Sequence, residues 1–173
     1  MSTLPPGGWG FGPVSAGDVA SLFADGLPDE SHPQCLGLMN ALPALTAQHR
    51  ITTARCGLID PLSLSDYLDT GGFGGLEKAR EMSQQGIVDA VKNAGLRGRG
   101  GAAFPTGIKW QTVLDTEEQT RYVVCNADEG DSGTFVDRMI MESDPLVLIE
   151  GMAIAALAVG AQRGYIYVRS EYP

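Results

Sequence analysis

The sequence predicts an α/β fold in which two parallel strands are joined by helices. Three observations carry that prediction. Arg121-Tyr-Val-Val-Cys125 is a short β-branched apolar run of the kind that forms a buried strand. Gly164-Tyr-Ile-Tyr-Val-Arg169 is a second such run. Between them, Phe135–Glu142 and then Leu146, Ile149, Ala153, Ala156, Leu157 and Gly160 repeat at helical spacing, with Asp144 as a cap and Pro145 at the first helical position. A strand, its helices and a strand in that order imply a right-handed crossover and a parallel pair.

Upstream, the chain reads as helix followed by loop. Leu36, Leu38, Met39, Leu42 and Leu45 suggest a short helix, and Ile51-Thr-Thr-Ala-Arg-Cys-Gly-Leu58 a strand. Pro61 then sits well at the start of a helix through Leu68 that Gly71-Gly72 ends. Leu76–Met82 and Ile87–Ala94 read as two more helices. Residues 1–34, rich in Gly and Pro, read as a loosely ordered arm in which Trp9 and Phe11 stand out, either docking on a partner or on the body of the protein or simply exposed. The expected division is a leader over residues 1–56 and a domain over 57–173.

Composition narrows the function. With 173 residues, 43% of them hydrophobic and 19% charged, the chain is an ordinary globular domain. Twelve Lys and Arg against 21 Asp and Glu leave a net charge of -9, which argues against nucleic acid as a partner. The N-terminus has no basic segment leading into an apolar core, so no secretory signal is expected there. The most apolar run, Leu146–Ala161, is interrupted by Glu150 and is too short for a membrane span. Cys35, Cys56 and Cys125 lack Cys-x-x-Cys spacing and are expected to stay reduced, as in a cytoplasmic protein; His32 and His49 receive no role.

Two stretches carry chemistry. In Gly95-Leu-Arg-Gly-Arg-Gly-Gly-Ala-Ala-Phe-Pro-Thr-Gly-Ile-Lys-Trp110, Gly98, Gly100 and Gly101 lack the Cβ that keeps a bulky anion off the backbone. A helix opening at Pro105 or Thr106 would add its N-terminal field, and Lys109 a full charge. The spacing matches neither the dinucleotide fingerprint nor the P-loop. By its residues alone it is either a phosphate cradle or a surface turn with solvated arginines. The second stretch follows the first strand, where ligands of open α/β sheets gather: Asn126, Asp128, Glu129 and Asp131. Carboxylates there suit ribose hydroxyls, an imide N–H or a metal, though an acidic turn would read the same.

Taken together, Gly98-Arg-Gly-Gly-Ala-Ala-Phe-Pro-Thr-Gly-Ile-Lys-Trp110, Asn126-Ala-Asp-Glu129 with Phe135-Val-Asp-Arg138, and Tyr165-Ile-Tyr-Val-Arg-Ser-Glu-Tyr-Pro173 resemble the FMN- and NADH-binding subunit of respiratory complex I. The diaphorase subunits of NAD-dependent formate dehydrogenases and NAD-reducing hydrogenases share that type. The resemblance spans about residues 57–173. It implies an incomplete FMN-binding domain of the complex I flavoprotein type. It also implies that Gly98, Arg99, Gly100 and Gly101 wrap the FMN phosphate region and that Lys109 contacts the flavin. Asn126, Asp128 and Glu129 would hold its ribityl chain and ring edge, Phe104 would stack on NADH, and Asp131 would lie near the NADH ribose.

The implied chemistry is hydride transfer from NADH to FMN, then single-electron transfer to iron-sulfur subunits. None of the named side chains need act as acid or base. Complex I subunits usually carry Glu where Asp131 stands and a second aromatic where Thr112 stands, and Gly130-Asp131 is nearer the formate dehydrogenase and hydrogenase branch. The four cysteines of the family's [4Fe-4S] cluster have no counterparts in this sequence. The expectation is a flavin entry module, or a fragment or truncated relative that keeps the fold without retaining flavin.

Overall fold

A computed structural model describes residues 8–24, 26 and 28–172; Pro5-Pro6-Gly7, part of the expected arm, and Pro173 lie outside them. Much of the arm is not loose. Trp9–Phe11 (β1) pairs antiparallel with Cys35–Leu38 (β2), and the Phe11 ring meets His32 edge-on at 5.8 Å. Val19–Leu22 (α1) is a single turn between them. The helix expected over Leu36–Leu45 is therefore replaced by β2, a 3₁₀ turn at Met39–Ala41 and the one-turn Pro43–Thr46 (α2). Leu36 and Leu38 alternate, a strand spacing that the later leucines masked.

The strand expected at Ile51–Leu58 is also absent. Ala54, Cys56 and Leu58 each donate to the carbonyl three residues back, so the segment is a run of tight turns. Arg50 Nη1 ties it further by donating 3.1 Å to the Cys56 carbonyl. The next helix, Leu64–Asp69 (α3), begins at a Ser63 cap rather than at Pro61, because the Ser63 hydroxyl accepts from Asp66 N at 3.2 Å. Gly71 and Gly72 close it as expected.

Gly74–Arg80 (α4), Gln84–Asn93 (α5, capped by Ser83), Thr106–Leu114 (α6) and Pro145–Val159 (α8) form the helical layer. Its core is Ala79, Ile87, Val88, Ala158 and Val159, with Trp110, Val113, Leu114 and Ile154 packed against it. Burying Val88 completely contributes about 1.5–3 kcal/mol. α5 and α6 approach closely at Gly107, where a Cβ would stand 2.7 Å from Lys92 N and 2.9 Å from its Cα. Tyr122–Ala127 (β3) and Arg163–Val168 (β4) pair in parallel, in register from Tyr122 with Arg163 to Ala127 with Val168. Val136–Ser143 (α7) and α8 make the connection, and α8 lies against both strands. Every residue of β4 is nonetheless exposed.

α8 is apolar on all sides, and its core face is not the one its spacing suggested. Ala155, Ala158 and Val159 are buried, whereas Ile149 and Leu157, on the expected face, are 46% and 38% exposed. Asp144 also departs from expectation: its side chain makes no cap hydrogen bond. It is buried instead against Arg55, whose Nε donates to Oδ2 at 2.8 Å, while Oδ1 has no partner. Arg55 at the same time lies 4.5 Å from the centre of the Tyr67 ring.

The Tyr67 hydroxyl donates to buried Glu150, which also accepts from Phe73 N at 2.9 Å and Leu76 N at 3.0 Å. Burial first, then the Glu150 contact, pushes the Tyr67 hydroxyl well above its ordinary range. Burial opposes ionisation of Glu150 too, but the Tyr67 hydroxyl and the N–H groups outweigh it and hold the carboxyl below its usual value. Glu150 is thus the acceptor for the first turn of α4, a long-range cap rather than an interruption of an apolar helix.

Candidate functional site

The glycine stretch folds as a small hairpin-like loop leading into α6. Gly98 N donates to Phe104 O at 2.9 Å, and Thr106 N to Leu96 O at 2.9 Å. Arg97 Nη1 closes the loop on the Ala103 carbonyl at 3.1 Å. Gly101 has φ +100°, which glycine adopts without penalty, whereas Ala103 has φ +50°, a conformation that costs an L residue about 1–2 kcal/mol. Strain of this kind persists where the neighbouring structure holds it in place. Phe104, next in the chain, is 50% exposed.

The loop's glycines are of two sorts. A Cβ on Gly100 or Gly101 would meet no protein atom within 4 Å, and one on Gly98 would find only ordinary contacts at 3.7 and 3.8 Å. The conformation demands glycine at Gly101, but neither packing nor φ demands it at Gly100. The space beside that backbone is open to something outside the chain. α6 begins as expected, with Pro105 at the cap position and its first N–H groups on the loop side. Arg99 and Lys109 are exposed, and among the described residues neither lies within salt-bridge distance of a carboxylate. In a chain of net charge -9 these are two uncompensated cations flanking one backbone turn.

At the other focus, β3 extends further than expected and includes Asn126. The exposed face of β3 carries Tyr122, Val124 and Asn126, and the residues paired with the last two are Tyr165 and Tyr167. Asn126 Oδ1 accepts from Asp128 N at 3.1 Å, so the side chain starts the turn that follows. Glu129 accepts from Val136 N at 2.8 Å, Asp137 N at 3.1 Å and Arg138 N at 3.1 Å. Desolvation pushes its carboxyl up, but these three N–H groups prevail and hold it below the usual carboxylate range. Glu129 is thereby the cap of α7, with its lone pairs largely committed to the protein.

Asp128 and Asp131 are exposed. Arg169 Nε lies 3.6 Å from Asp128 Oδ1, and the Asp131 carboxylate makes no hydrogen bond among the described residues. Asp137, on the first turn of α7, is pushed upward by burial and then by Glu129. Burial, then Asp137, raises the Cys125 thiol. No hydrogen bond or ion pair joins the glycine loop to the 126–131 loop among the described residues. What the structure brings together is Asn126, Asp128 and Glu129 at the end of β3, and Gly98, Gly100, Gly101 and Phe104 around one turn.

Two side chains escaped the sequence reading. Arg169 reaches Asp128 and the Glu129 carbonyl, the latter at 3.0 Å, from the end of β4. Arg121 donates to the Val159 carbonyl at 2.8 Å and to the Thr116 carbonyl at 2.7 Å, closing the ends of α8 and α6 at the foot of β3. The register of the parallel pair is the signal for the first, since Asp128 and Arg169 directly follow its last pair, Ala127 with Val168.

Residues 91–173, which include both loops, match the family model described as the Nuo51 FMN-binding domain. Over that segment the chain belongs to the Nuo51 FMN-binding domain family. Among relatives of this chain, the NADP-reducing hydrogenase subunit HndC of Solidesulfovibrio fructosivorans is 52% identical over 126 residues, covering 73% of this chain and 26% of the relative. An NADH-quinone oxidoreductase subunit of Aquifex aeolicus is 52% identical over 111 residues, with 64% and 26% covered. Its counterpart in Escherichia coli is 48% identical over 114 residues, with 65% and 26% covered.

A crystal structure of an NAD+-reducing [NiFe]-hydrogenase in the air-oxidized state superposes with a TM-score of 0.56 at 42% identity, covering 64% of this chain and 20% of that one. The chain thus spans about a quarter of the length of its curated relatives. The fold is the incomplete α/β FMN-binding domain that the motifs implied. Among the described residues no helix is long and apolar enough to cross a membrane.

Proposed function

We propose that this chain forms the flavin-facing part of an NADH:acceptor oxidoreductase module, with FMN cradled on the glycine loop and NADH meeting it from the Phe104 side. The observation that carries this is Gly100, whose missing Cβ leaves an open space that no protein atom requires. The residues present fit the group. Arg99 and Lys109 offer a phosphate positive charge that no carboxylate among the described residues compensates, and α6 begins on the loop side.

Asn126 and Asp128 stand at a strand end, with donor and acceptor capacity for ribityl hydroxyls and a ring edge. Glu129 would act there by holding α7 and the loop in shape. Asp131, with its carboxylate unengaged, suits a ribose hydroxyl of NADH and repels a 2'-phosphate. When bound, FMN supplies a hydride acceptor that releases its electrons singly, and NADH supplies the hydride. The side chains would bind and orient, and the chemistry requires none of them to act as acid or base.

The partners that follow are the iron-sulfur subunits of a multi-subunit oxidoreductase of the hydrogenase, formate dehydrogenase or complex I kind, in the cytoplasm. A second reading, in which the segment keeps the fold without retaining flavin, is favoured by the complete exposure of β4 and the open surroundings of Phe104.

Absorption spectroscopy of the purified chain titrated with FMN, then with anaerobic NADH, separates the two. The oxidoreductase reading expects bound flavin whose visible bands bleach on NADH addition, and an FMN Kd raised about tenfold by Lys109→Ala, the loss of roughly 1.4 kcal/mol of charge-assisted contact. Flavin that never binds supports the second reading, and equal Kd values would remove Lys109 from the cradle.

A further inference from the structure

The loop after β3 is short of packing but is not free. Its central peptide, between Glu129 and Gly130, is held at both ends: Arg169 Nη1 donates to the Glu129 carbonyl at 3.0 Å, and Gly130 N donates to Asp128 O at 2.8 Å. The same guanidinium stands 3.6 Å from Asp128 Oδ1. Glu171 braces the Nε and Nη2 edge, accepting from Nε, the atom nearest Asp128, at 3.3 Å and from Nη2 at 2.9 Å. The register places all this at one level of the sheet, because Ala127 pairs with Val168 and the next residues are Asp128 and Arg169. Asp131 leaves the clamped peptide one residue later.

We propose that Arg169 is a positioning residue of the site, fixing the Glu129–Gly130 peptide so that Asp128 and Asp131 present their carboxylates to ligand in one arrangement. This rests on the reading of residues 126–131 as part of the flavin and nicotinamide site. The planar fork is what such a clamp requires. One guanidinium reaches a carbonyl, a facing carboxylate and a bracing carboxylate at once, which the single ammonium of lysine cannot do. Glu171 keeps the fork from swinging to solvent and leaves the Nη1 edge for the loop. Arg169 itself touches none of the groups assigned to FMN phosphate binding, so its effect on ligand passes through the loop.

The test uses the whole chain in wild-type, Arg169→Gln, Arg169→Lys and Glu171→Gln forms, with two readouts. Hydrogen exchange without flavin reads the clamp directly. Arg169→Gln should speed exchange of the Gly130 amide about tenfold, leaving the α5 amides and the melting temperature essentially unchanged. Equilibrium titration with FMN should show a Kd about tenfold higher, an affinity loss of about 1.4 kcal/mol. Arg169→Lys should recover part of both effects, and Glu171→Gln should give the same changes at about a third of the size.

Unchanged Gly130 exchange in Arg169→Gln overturns the proposal, as does faster exchange with wild-type FMN affinity. A wild-type chain that takes up no FMN overturns the flavin reading instead. In that case the exchange result alone decides whether Arg169 sets the loop.

Discussion

The helical layer and the loop end of this molecule use the same residue types for opposite ends. Toward the helical layer, Gly72 and Gly107 are required by the protein itself. A Cβ on Gly72 would sit 2.1 Å from the Tyr67 ring, and one on Gly107 would meet the backbone of Lys92. Seven residues before Gly107, Gly100 faces open space. Carboxylates divide in the same way. Glu150 has three donors from its own chain and Asp144 has Arg55, whereas Asp131 has none among the described residues. A polar or glycine position whose capacity is consumed inside the fold is structural. One whose capacity is left over is where a ligand can be recognised.

The contrast breaks most sharply at Glu150. Glu150→Ala leaves the Tyr67 hydroxyl and the Phe73 and Leu76 amides without their acceptor, at a cost of about 3 kcal/mol. For a chain of this size that corresponds to a melting temperature lower by roughly 6–12 °C. Calorimetry should show it, and a change within about 1 °C would mean that water replaces the carboxylate.

The two glycines give the next comparison. Gly107→Ala gains up to about 1 kcal/mol of helix propensity but forces a Cβ against Lys92 N at 2.7 Å, and overpacking of about 1–3 kcal/mol decides the sign. Net destabilisation is expected. Gly100→Val should leave stability within about 0.5 kcal/mol while abolishing FMN uptake by filling the cradle. If Gly100→Val unfolds the chain, or leaves flavin binding intact, the division drawn between the two positions fails.

The smallest effect belongs to the surface. The Arg169 side chain holds the Glu171 carboxyl down at about 2, against an ordinary 4.5. A carboxyl depressed on folding stabilises the protein above its unfolded value and loses that contribution as pH falls toward its folded one. The Arg169–Glu171 contact should therefore survive to about pH 2, with only a slight fall in stability between roughly pH 4.5 and 2, because the pair is exposed and screened. Side-chain carboxyl NMR of Glu171 should show the low titration, and Arg169→Gln should raise it toward the ordinary range, with the backbone hydrogen bond still holding it partly down.

Local pattern was sufficient for most of the second half. Ser83, Pro145 and Gly160 punctuate helices, and the runs at residues 121–125 and 164–169 can pair with each other. The first half was less legible. The β1–β2 pairing joins two short segments well separated in the chain, and the one strand spacing they hold, Leu36 with Leu38, runs into the leucines that follow. The turns at 51–58 are built around Arg50 and Arg55, whose partners include a carboxylate 89 residues away.

Glu150 offered a signal that went unused. A single carboxylate inside a long apolar helix is buried only with partners, so its presence announces some. Tyr67 and the start of α4 supply them from 83 residues upstream and less.

By itself the sequence determined the parallel α/β plan, the glycine loop opening α6, the acidic end of β3 and the family these share. Each is written in spacing, caps and residue type within a few positions. Only the tertiary structure decided that Glu129 caps α7, that Arg169 clamps the loop, that Glu150 is a buried cap and that Gly100 faces empty space while Gly107 does not. Those depend on what lies across the fold, and a polar group's role is set by whichever partner reaches it first.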